Sequence, residues 1–314
     1  MRHLTIGGPI MKYRVLLIAV VVFALLVGAT MLVGCTSSDD EVAVDTTTSE
    51  EATVERPAWA DDLVKGDGKT VLIGADTNYP PFEFAADDGD GFQGFDVDLM
   101  NAIGEKLNVT FEFKTFDFEA IIAGLAAGTE FDMITSALTI KPERAEAVNF
   151  GLPYYQDSLA LCVPNDSDIK SVADITDGTR VAVQGGSSAH TWGEANLPAG
   201  VKYVLNPDTT ALFQSMLAGD ADVLIQDLSS STEFVKDAAF RATIVETIES
   251  DQFFGMAFQK NAFGDAMRAD IDAALKELAA DGTYAEIYKK WFGVEPIFLP
   301  GDISVDEALE AFGS

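Results

Sequence analysis

Strand-like and helix-like segments alternate along this chain, and that alternation narrows its possible folds more than any other feature. The pattern occurs twice, between residues 70 and 135 and again between residues 158 and 227. Short apolar strands that alternate with amphipathic helices are typical of parallel sheets covered by helices. The sequence therefore predicts an α/β protein with two βα modules, each forming one lobe.

The predicted strands share short apolar stretches bounded by turn residues: 70–75, 109–113, 131–135, 158–163, 180–184, 202–205 and 222–225. The predicted helices share apolar residues at helical spacing: one from Phe95, 119–127, a short one from Ser171, 189–195, 210–218, 262–281 and 285–291. The acidic turn 85–91 lacks the aspartate spacing of an EF-hand calcium loop. We therefore expect a plain hairpin turn there and no metal.

Polar loops follow the strands of both modules. Asp76 follows the first strand, residues 136–139 follow the third, residues 185–188 follow strand 180–184, and Asp227 follows the last strand. Ligands of open α/β sheets bind beyond the carboxyl ends of the strands. If the two lobes face each other, these four loops meet in one cleft.

Arg144 and Asp227 are the strongest candidates for ligand recognition. A guanidinium binds an α-carboxylate through two parallel hydrogen bonds, and a carboxylate binds an α-ammonium, so the pair suits a free amino acid. Two structural alternatives remain open from the sequence. Arg144 could cap its helix or pair with a neighbouring glutamate, and Asp227 could be the N-cap of a helix that begins at Leu228.

The N-terminal region has the three parts of an export signal. Lys12 and Arg14 precede an apolar run from Val15 to Ala29, and small residues lead to Cys35. Leu32-Val33-Gly34-Cys35 resembles a bacterial lipobox, which implies that residues 1–34 are a lipoprotein signal peptide and that Cys35 carries lipid. An uncleaved membrane anchor is the alternative, and Met11 is an alternative start.

Residues 35–66 are rich in acidic residues, serine and threonine, and are predicted to form a disordered tether. The net charge of -31, from 51 acidic and 20 basic residues, makes nucleic acid an unsuitable partner. Beyond Cys35 the chain has one other cysteine, Cys162 in an apolar run, so no internal disulfide is expected. No cofactor is expected either, because Gly185-Gly186 lacks the residues of a nucleotide-binding loop.

Several motifs together resemble family 3 of the bacterial extracellular solute-binding proteins, the polar-amino-acid receptors of ATP-binding-cassette (ABC) importers. The motif Gly94-Phe95-Asp96-Val97-Asp98-Leu99 matches the signature of that family. The resemblance extends from Val71 to about Pro296 and includes Tyr79-Pro80-Pro81-Phe82-Glu83-Phe84, Arg144 and Gln226-Asp227. The ending, residues 281–293, is similar to that of glutamine-binding members.

The resemblance implies a periplasmic-binding-protein type II fold, with two α/β lobes joined by a two-strand hinge. Residues 67–156 and 253–296 would then form lobe 1, and residues 157–252 would form lobe 2. The hinge crossings would lie near 155–158 and 250–253. Residues 297–314 exceed the usual ending of the family, and the Ser304–Glu307 capping box predicts a short helix there, docked or frayed.

The resemblance also implies roles for individual residues. Arg144, with Thr139 and Ser188, would bind the ligand carboxylate, and Asp227 with the Ser136 carbonyl would bind its ammonium. Tyr79 and Phe118 would lie on either side of the ligand, and Asp76 would contact the ligand side chain. The remaining predicted ligand-binding residues are Ala137, Gln184, Gly186, Ser187 and Gln226.

Two departures from the family pattern affect specificity. Gln184 occupies a position where glutamine-binding members often have lysine, and Gln226 one where some have histidine. Without that lysine the charge of Asp76 is uncompensated. The hypothesis is that the pocket prefers neutral-polar or cationic side chains and rejects glutamate and aspartate.

The function implied is that of a monomeric, lipid-anchored extracytoplasmic receptor that delivers a polar L-amino acid to an ABC permease. Glutamine is favoured, followed by arginine, lysine or histidine. The alternatives are an exported dehydratase-type enzyme on the same fold and an amino-acid sensor. A dehydratase needs an acid or base in the cleft, for which Asp76 is the obvious candidate.

Overall fold

The computed structural model describes residues 55–63 and 68–312. Its strands are β1 (Thr70–Ala75), β2 (Asn78–Tyr79), β3 (Glu83–Ala85), β4 (Phe92–Gln93), β5 (Thr110–Thr115), β6 (Met133–Ile134), β7 (Asn149–Pro164), β8 (Arg180–Gln184), β9 (Lys202–Asn206), β10 (Val223–Asp227) and β11 (Ala242–Phe258). Its helices are α1 (Phe95–Leu107), α2 (Ile121–Ala127), α3 (Pro142–Ala147), α4 (Ser188–Asn196), α5 (Thr209–Ala218), α6 (Leu228–Lys236), α7 (Ala262–Asp281), α8 (Thr283–Phe292) and α9 (Val305–Ala311).

Eight strands form one continuous ladder in the order β5-β1-β6-β11-β7-β10-β8-β9, and β2, β3 and β4 form a small second sheet. The strands on each side of the central β11–β7 pair run parallel, as the alternation with helices requires. We call the half with β1, β5 and β6 the first lobe, and the half with β8, β9 and β10 the second lobe. The predicted α/β class is confirmed.

β7 and β11 are antiparallel partners of 16 and 17 residues that run through both lobes. Their pairing shifts register where Ile248 faces Leu159 but Gln252 faces Asp157, so β11 advances four residues while β7 advances two. An irregularity of this kind bends the paired strands. It lies at the two segments that the sequence suggests for the hinge crossings.

Most predicted elements are present. The acidic turn joins β3 to β4 as an antiparallel hairpin, as expected. The segment from Ser171 forms only a 3₁₀ turn, Val172–Asp174. A capping box of Ser171 and Asp174 stabilises the start of the turn, and the chain is extended again at Ile175. Helix α3 was not predicted from the sequence. It starts with Pro142 at its first position, where proline fits a helix.

Each lobe has its own core. In the first lobe, rings from the β2–β3 turn, α1, β7 and α8 pack together: Phe82, Phe95, Tyr155, Tyr288 and Phe292. In the second lobe, apolar side chains cover both faces of β8 and β10. Cys162 is fully buried on one of these faces, as expected for a small apolar side chain.

The end of the predicted tether is ordered, which corrects the expectation of disorder across 35–66. Residues 58–62 form a 3₁₀ helix that places Trp59, Ala60 and Leu63 in the core of the first lobe. The indole Nε1 of Trp59 donates to Asp270 on α7 at 2.9 Å. These three apolar residues lie within five consecutive positions, a signal that the acidic composition of the segment as a whole conceals.

Several predictions fall outside the described residues: the signal peptide 1–34, Cys35, and the rest of the tether. The C-terminal extension is described up to Phe312. Its helix α9 begins with the predicted capping box of Ser304 and Glu307, and Ala308 is fully buried against the first lobe. The extension therefore docks rather than frays. No helix within the described ranges is long and apolar enough to cross a membrane.

Replacing Trp59 tests whether this N-terminal segment is part of the folded lobe. We expect Trp59→Ala to lower the free energy of unfolding by about 2–4 kcal/mol, because it removes a buried indole. Trp59→Phe keeps most of the apolar contact and loses the hydrogen bond to Asp270, at about 1 kcal/mol. Urea denaturation measures both, and an unchanged midpoint for Trp59→Ala would show that the segment does not dock in solution.

Candidate functional site

The loops at the carboxyl ends of the strands meet in a small cavity between the two lobes. Side chains from both lobes line it: Tyr79, Phe118, Ser136, Ala137, Thr139, Arg144, Gln184, Ser187, Ser188, Gln226 and Asp227. All of them belong to the set predicted from the sequence. The other two predicted residues contact this lining, since Asp76 accepts a hydrogen bond from Gln184 and the Gly186 carbonyl accepts one from Arg144.

Asp227 ends β10, and the residue is 5% exposed. Its Oδ2 accepts a hydrogen bond from the Tyr79 hydroxyl of the opposite lobe, while its Oδ1 is buried without a hydrogen-bond partner among the described residues. Asp227 also stands at the N-cap of α6, but its side chain makes no capping hydrogen bond. Helix capping therefore does not account for this carboxylate.

Burial raises the pKa of Asp227 to about 6, although the Tyr79 hydroxyl and the Arg144 charge oppose the shift. A second buried carboxylate, Asp157 on β7, lies close by. Its pKa rises to about 8 through burial and through the charge of Asp227, against hydrogen bonds from Ser229 and the backbone. At neutral pH this pair of acids therefore carries about one negative charge, which suits an ammonium group at this end of the cavity.

Arg144 lies on α3 at the other end of the cavity and is 5% exposed. Its Nη1 donates to the Thr139 carbonyl at 2.9 Å and its Nη2 to the Gly186 carbonyl at 3.1 Å. The guanidinium carbon is 5.3 Å from the centre of the Phe118 ring. These contacts go to carbonyls and a ring rather than to Glu143 or Glu146, so pairing with a neighbouring glutamate does not explain the arginine. Burial lowers its pKa only to about 10, which leaves it charged at neutral pH.

The N-terminus of α4 faces the same end of the cavity as Arg144. Ser187 is the N-cap, and its Oγ accepts a hydrogen bond from the backbone N–H of His190 at 3.1 Å. The hydroxyl of Ser188 lies 3.3 Å from that of Thr139, across the two lobes. A guanidinium and a helix N-terminus that converge on one point favour an anion there.

Asp76 lies beyond β1 at a third corner of the site and is 7% exposed. Its Oδ2 accepts a hydrogen bond of 2.7 Å from Gln184 Nε2, which also donates to the Pro207 carbonyl. Burial raises the pKa of Asp76 to about 6, and the charges of Asp208 and Asp117 add to the rise. This corner therefore carries negative charge that a neutral glutamine amide does not compensate.

The loop at Ser136 and Ala137 depends on two buried acids that were not among the predicted site residues. Ser136 Oγ donates to Glu83 Oε1 at 2.7 Å, and the Ala137 N–H donates to Asp96 Oδ2 at 3.0 Å. Asp96 lies at the start of α1 and is fully buried beneath the loop, and both acids belong to the motifs that carry the family resemblance.

Hydrogen bonds between the described residues hold the lobes together around the cavity. They join residues of the first lobe to residues of the second: Tyr79 to Asp227 and Gln226, Asp76 to Gln184, Asn78 to Thr210, Thr139 to Ser188, Lys141 to Thr191, and Arg144 to Gly186. The cavity that remains is about 10 Å³, near the minimum for one water molecule. A larger solute would therefore enter only after the lobes separate.

A larger cavity of about 270 Å³ lies beside Trp192 on α4 and Phe312 of the C-terminal extension. It contains exposed Glu249 and Asp251 but no pair of buried opposite charges. We therefore place the candidate site in the smaller cavity. Within the described ranges no group of three or more His, Cys, Asp or Glu side chains is arranged to hold a metal ion.

The fold and the site define a two-lobed α/β binding protein for a small solute with both a positive and a negative group. The sequence profile of the bacterial extracellular solute-binding proteins, family 3, matches residues 71–294. The lysine/arginine/ornithine-binding periplasmic protein of Escherichia coli (strain K12) is 31% identical over 235 residues, covering 71% of this chain and 88% of that protein.

Solved structures agree with this match. An ancestral arginine-binding protein bound to arginine has a TM-score of 0.66 and 34% identity, covering 72% of this chain and 99% of the other. An ancestral arginine-binding protein bound to glutamine has a TM-score of 0.67 and 35% identity, with the same coverage.

The chain belongs to family 3 of the bacterial extracellular solute-binding proteins. The resemblance drawn from its motifs and the type II periplasmic-binding-protein fold are both confirmed. It is an extracytoplasmic solute-binding protein of the amino-acid importer class and not an enzyme.

Asp227→Asn tests the electrostatic cost of the site in the ligand-free protein. Because the pKa of Asp227 is about 6 when folded and 3.8 ordinarily, the folded protein binds more protons than the unfolded chain between these pH values. Its stability therefore falls as pH rises through this window. We expect Asp227→Asn to be more stable than wild type by about 1–3 kcal/mol at pH 7, with the difference vanishing near pH 4.

Asp222 is a matched control, because it immediately precedes the strand that Asp227 ends. It forms a part-exposed ion pair with Arg180, so Asp222→Asn should destabilise by about 1 kcal/mol or less. Chemical denaturation at pH 7 and near pH 4 measures the free energy of unfolding of wild type, Asp227→Asn and Asp222→Asn. A less stable Asp227→Asn at pH 7 would contradict the proposed cost of burying this carboxylate.

Proposed function

We propose that the protein captures a polar L-amino acid between its lobes and delivers it to an ABC permease in the membrane. The observation that carries this proposal is the pair of buried opposite charges, Arg144 on the first lobe and Asp227 on the second. Neither forms a salt bridge within the described residues, yet both are about 5% exposed. Buried charges are retained where a ligand completes them.

The α-carboxylate of the ligand would bind at the end where Arg144 and α4 converge. The guanidinium, the Thr139 hydroxyl and the backbone N–H of Ser188 can all donate to it. Charge-assisted hydrogen bonds of this kind are stronger than neutral ones, and exclusion of water strengthens them further.

The α-ammonium would bind to Asp227, in place of the Tyr79 hydroxyl, and to the Ser136 carbonyl. Because Arg144 and Asp227 belong to different lobes, one zwitterion bound to both holds the cleft closed. Tyr79 and Phe118 would cover the two sides of the aliphatic part of the ligand. Closure and recognition are then the same event, and the permease can distinguish the closed receptor from the open one.

The ligand side chain would point toward Asp76 and Gln184. Three carboxylates act at this corner, those of Asp76, Asp117 and Asp208, and Gln184 stands in place of a lysine. This favours a side chain that ends in N–H donors and disfavours glutamate and aspartate. Arginine fits the charge better than glutamine, the ligand favoured by the sequence, and ancestral arginine-binding proteins have been solved with each of the two.

Calorimetric titration with L-arginine, L-lysine, L-histidine, L-glutamine and L-glutamate tests the proposal. We expect L-arginine to bind most tightly and L-glutamate not to bind. Asp76→Asn should weaken the binding of L-arginine by about 10- to 100-fold, since one charged hydrogen bond is lost. The binding of L-glutamine should weaken much less. Arginine affinity of wild type should also fall as pH drops below about 6, where Asp76 is protonated, and the variant should show a weaker fall, which comes from Asp227 alone.

Asp87→Asn is the control for this series, because it removes the same charge from the exposed hairpin turn. It should leave all affinities unchanged. Tightest binding of L-glutamate would overturn the assignment of the Asp76 corner, and no binding of any amino acid would overturn the function. A sensor would share the ligand, so transport of labelled ligand by membranes with the permease distinguishes the two roles.

We also propose that Cys35 carries the lipid that anchors the receptor to the cell membrane. The support is the lipobox-like sequence Leu32-Val33-Gly34-Cys35 after a basic and apolar leader. Cys35→Ser should remove the lipid and release the protein from the membrane fraction. Labelling with a radioactive fatty acid, followed by fractionation, measures both, and membrane retention of an unlabelled variant would favour an uncleaved anchor.

A further inference from the structure

Two fully buried acids, Glu83 and Asp96, lie beneath the Ser136–Ala137 loop and interact with each other, and neither forms a salt bridge with a basic side chain of the described residues. Asp96 is the second residue of α1, and Glu83 begins β3. They are brought together by Gly94, whose φ is +142° and whose Cβ, if present, would lie 1.9 Å from the Phe82 carbonyl oxygen. The backbone N–H of Asp96 donates to that same carbonyl at 2.9 Å.

One oxygen of each acid supports the loop. Glu83 Oε1 accepts from the Ser136 hydroxyl at 2.7 Å, and that hydroxyl oxygen in turn accepts the Asp76 N–H at 2.9 Å. Asp96 Oδ2 accepts from the Ala137 N–H at 3.0 Å and from the Tyr154 hydroxyl at 2.9 Å. Ala137 has a φ of +42°, a conformation that a residue with a Cβ rarely adopts without such support.

The second oxygen of each acid lacks a partner. Glu83 Oε2 and Asp96 Oδ1 are buried and have no hydrogen-bond partner within the described part of the chain. The titratable groups that act on the pair are acids themselves: Asp76, Tyr79 and Tyr154. Two neighbouring carboxylates buried in this way cannot both ionise at low cost.

We propose that Glu83 and Asp96 are positioning residues that hold one proton between Glu83 Oε2 and Asp96 Oδ1 and so fix the Ser136–Ala137 loop in its ligand-binding conformation. The positioning role rests on the proposed function, whereas the shared proton does not. Burial, with the charge of Asp96, raises the pKa of Glu83 well above its ordinary value, and burial raises that of Asp96 to about 6. The pair carries a single negative charge at neutral pH.

Glutamine at position 83 can reproduce the protonated acid. Its Oε1 accepts from Ser136, and its Nε2 donates to Asp96 Oδ1 in place of the shared proton. Alanine at this position removes both contacts. Comparing Glu83→Gln with Glu83→Ala therefore distinguishes the effect of the shared proton from the effect of the shape and hydrogen bonds of the side chain.

The first test is unfolding of the ligand-free protein as a function of pH. Because Glu83 stays protonated in the folded state and ionises in the unfolded chain above about pH 4.5, wild type loses stability as pH rises through that window. The ratio of the wild-type unfolding constant to that of Glu83→Gln should rise by up to about tenfold per pH unit. This is the slope expected when unfolding releases one proton. Near pH 4 the two proteins should be equally stable.

Glu105→Gln is the matched control, since Glu105 is an exposed glutamate on α1, and it should keep the slope of wild type. Infrared difference spectroscopy should also show a protonated carboxylic acid band at pH 7 that Glu83→Gln lacks. A wild-type slope in Glu83→Gln, or lower stability of this variant at every pH, would overturn the shared proton.

The second test measures the positioning role with L-arginine and L-glutamine as probes. Glu83→Gln should bind within about threefold of wild type, while Glu83→Ala should bind about tenfold more weakly or more, the effect of losing one buried hydrogen-bonded contact. Equal binding by all three proteins would overturn the positioning role. If Glu83→Ala does not fold, the positioning role would instead be overturned by a tenfold loss of affinity in Glu83→Gln. If wild type itself binds neither probe, the proposed function fails, but the pH series still decides the shared proton.

Discussion

The antiparallel pair of β7 and β11 is the constraint on which the rest of the structure depends. These two strands are the only paired elements that continue through both halves of the large sheet within the described residues. Their register shift between Ile248 and Gln252 lets the two halves turn toward each other. The loops at the carboxyl ends of β1, β6, β8 and β10 then face one cavity instead of two separate edges.

That cavity is held together at an electrostatic cost. Asp76, Asp157 and Asp227 are buried acids whose pKa values are raised, chiefly by burial, and Arg144 is a buried base whose pKa is lowered. A protein selected for stability alone would place apolar groups there. A bound zwitterion would supply the opposite charges that these groups lack within the protein. Their poor internal pairing is therefore explained by ligand binding.

Much of the fold and most of the site followed from the sequence. The spacing of apolar residues predicted α7 at its observed bounds. The positions at strand ends predicted Asp227, which lines the cavity, and Asp76, which bonds to Gln184 of the lining. Three features did not follow. Trp59 was hidden by the acidic composition around it, the position of Asp96 at a helix start did not show that its side chain would be buried, and Glu83 gave no sign that it would meet Asp96.

The sequence by itself determined the class of fold, because hydrophobic period and strand-end position are local properties of the chain. Its motifs also carried the family resemblance, which implied most of the residues that gather in the cavity. The tertiary structure decided which atoms pair across the lobes, such as Tyr79 with Asp227 and Gln184 with Asp76, and which acids are buried. Burial and the distance between residues far apart in the chain set the pKa values and hydrogen bonds of such groups, and neither can be read from neighbours in sequence.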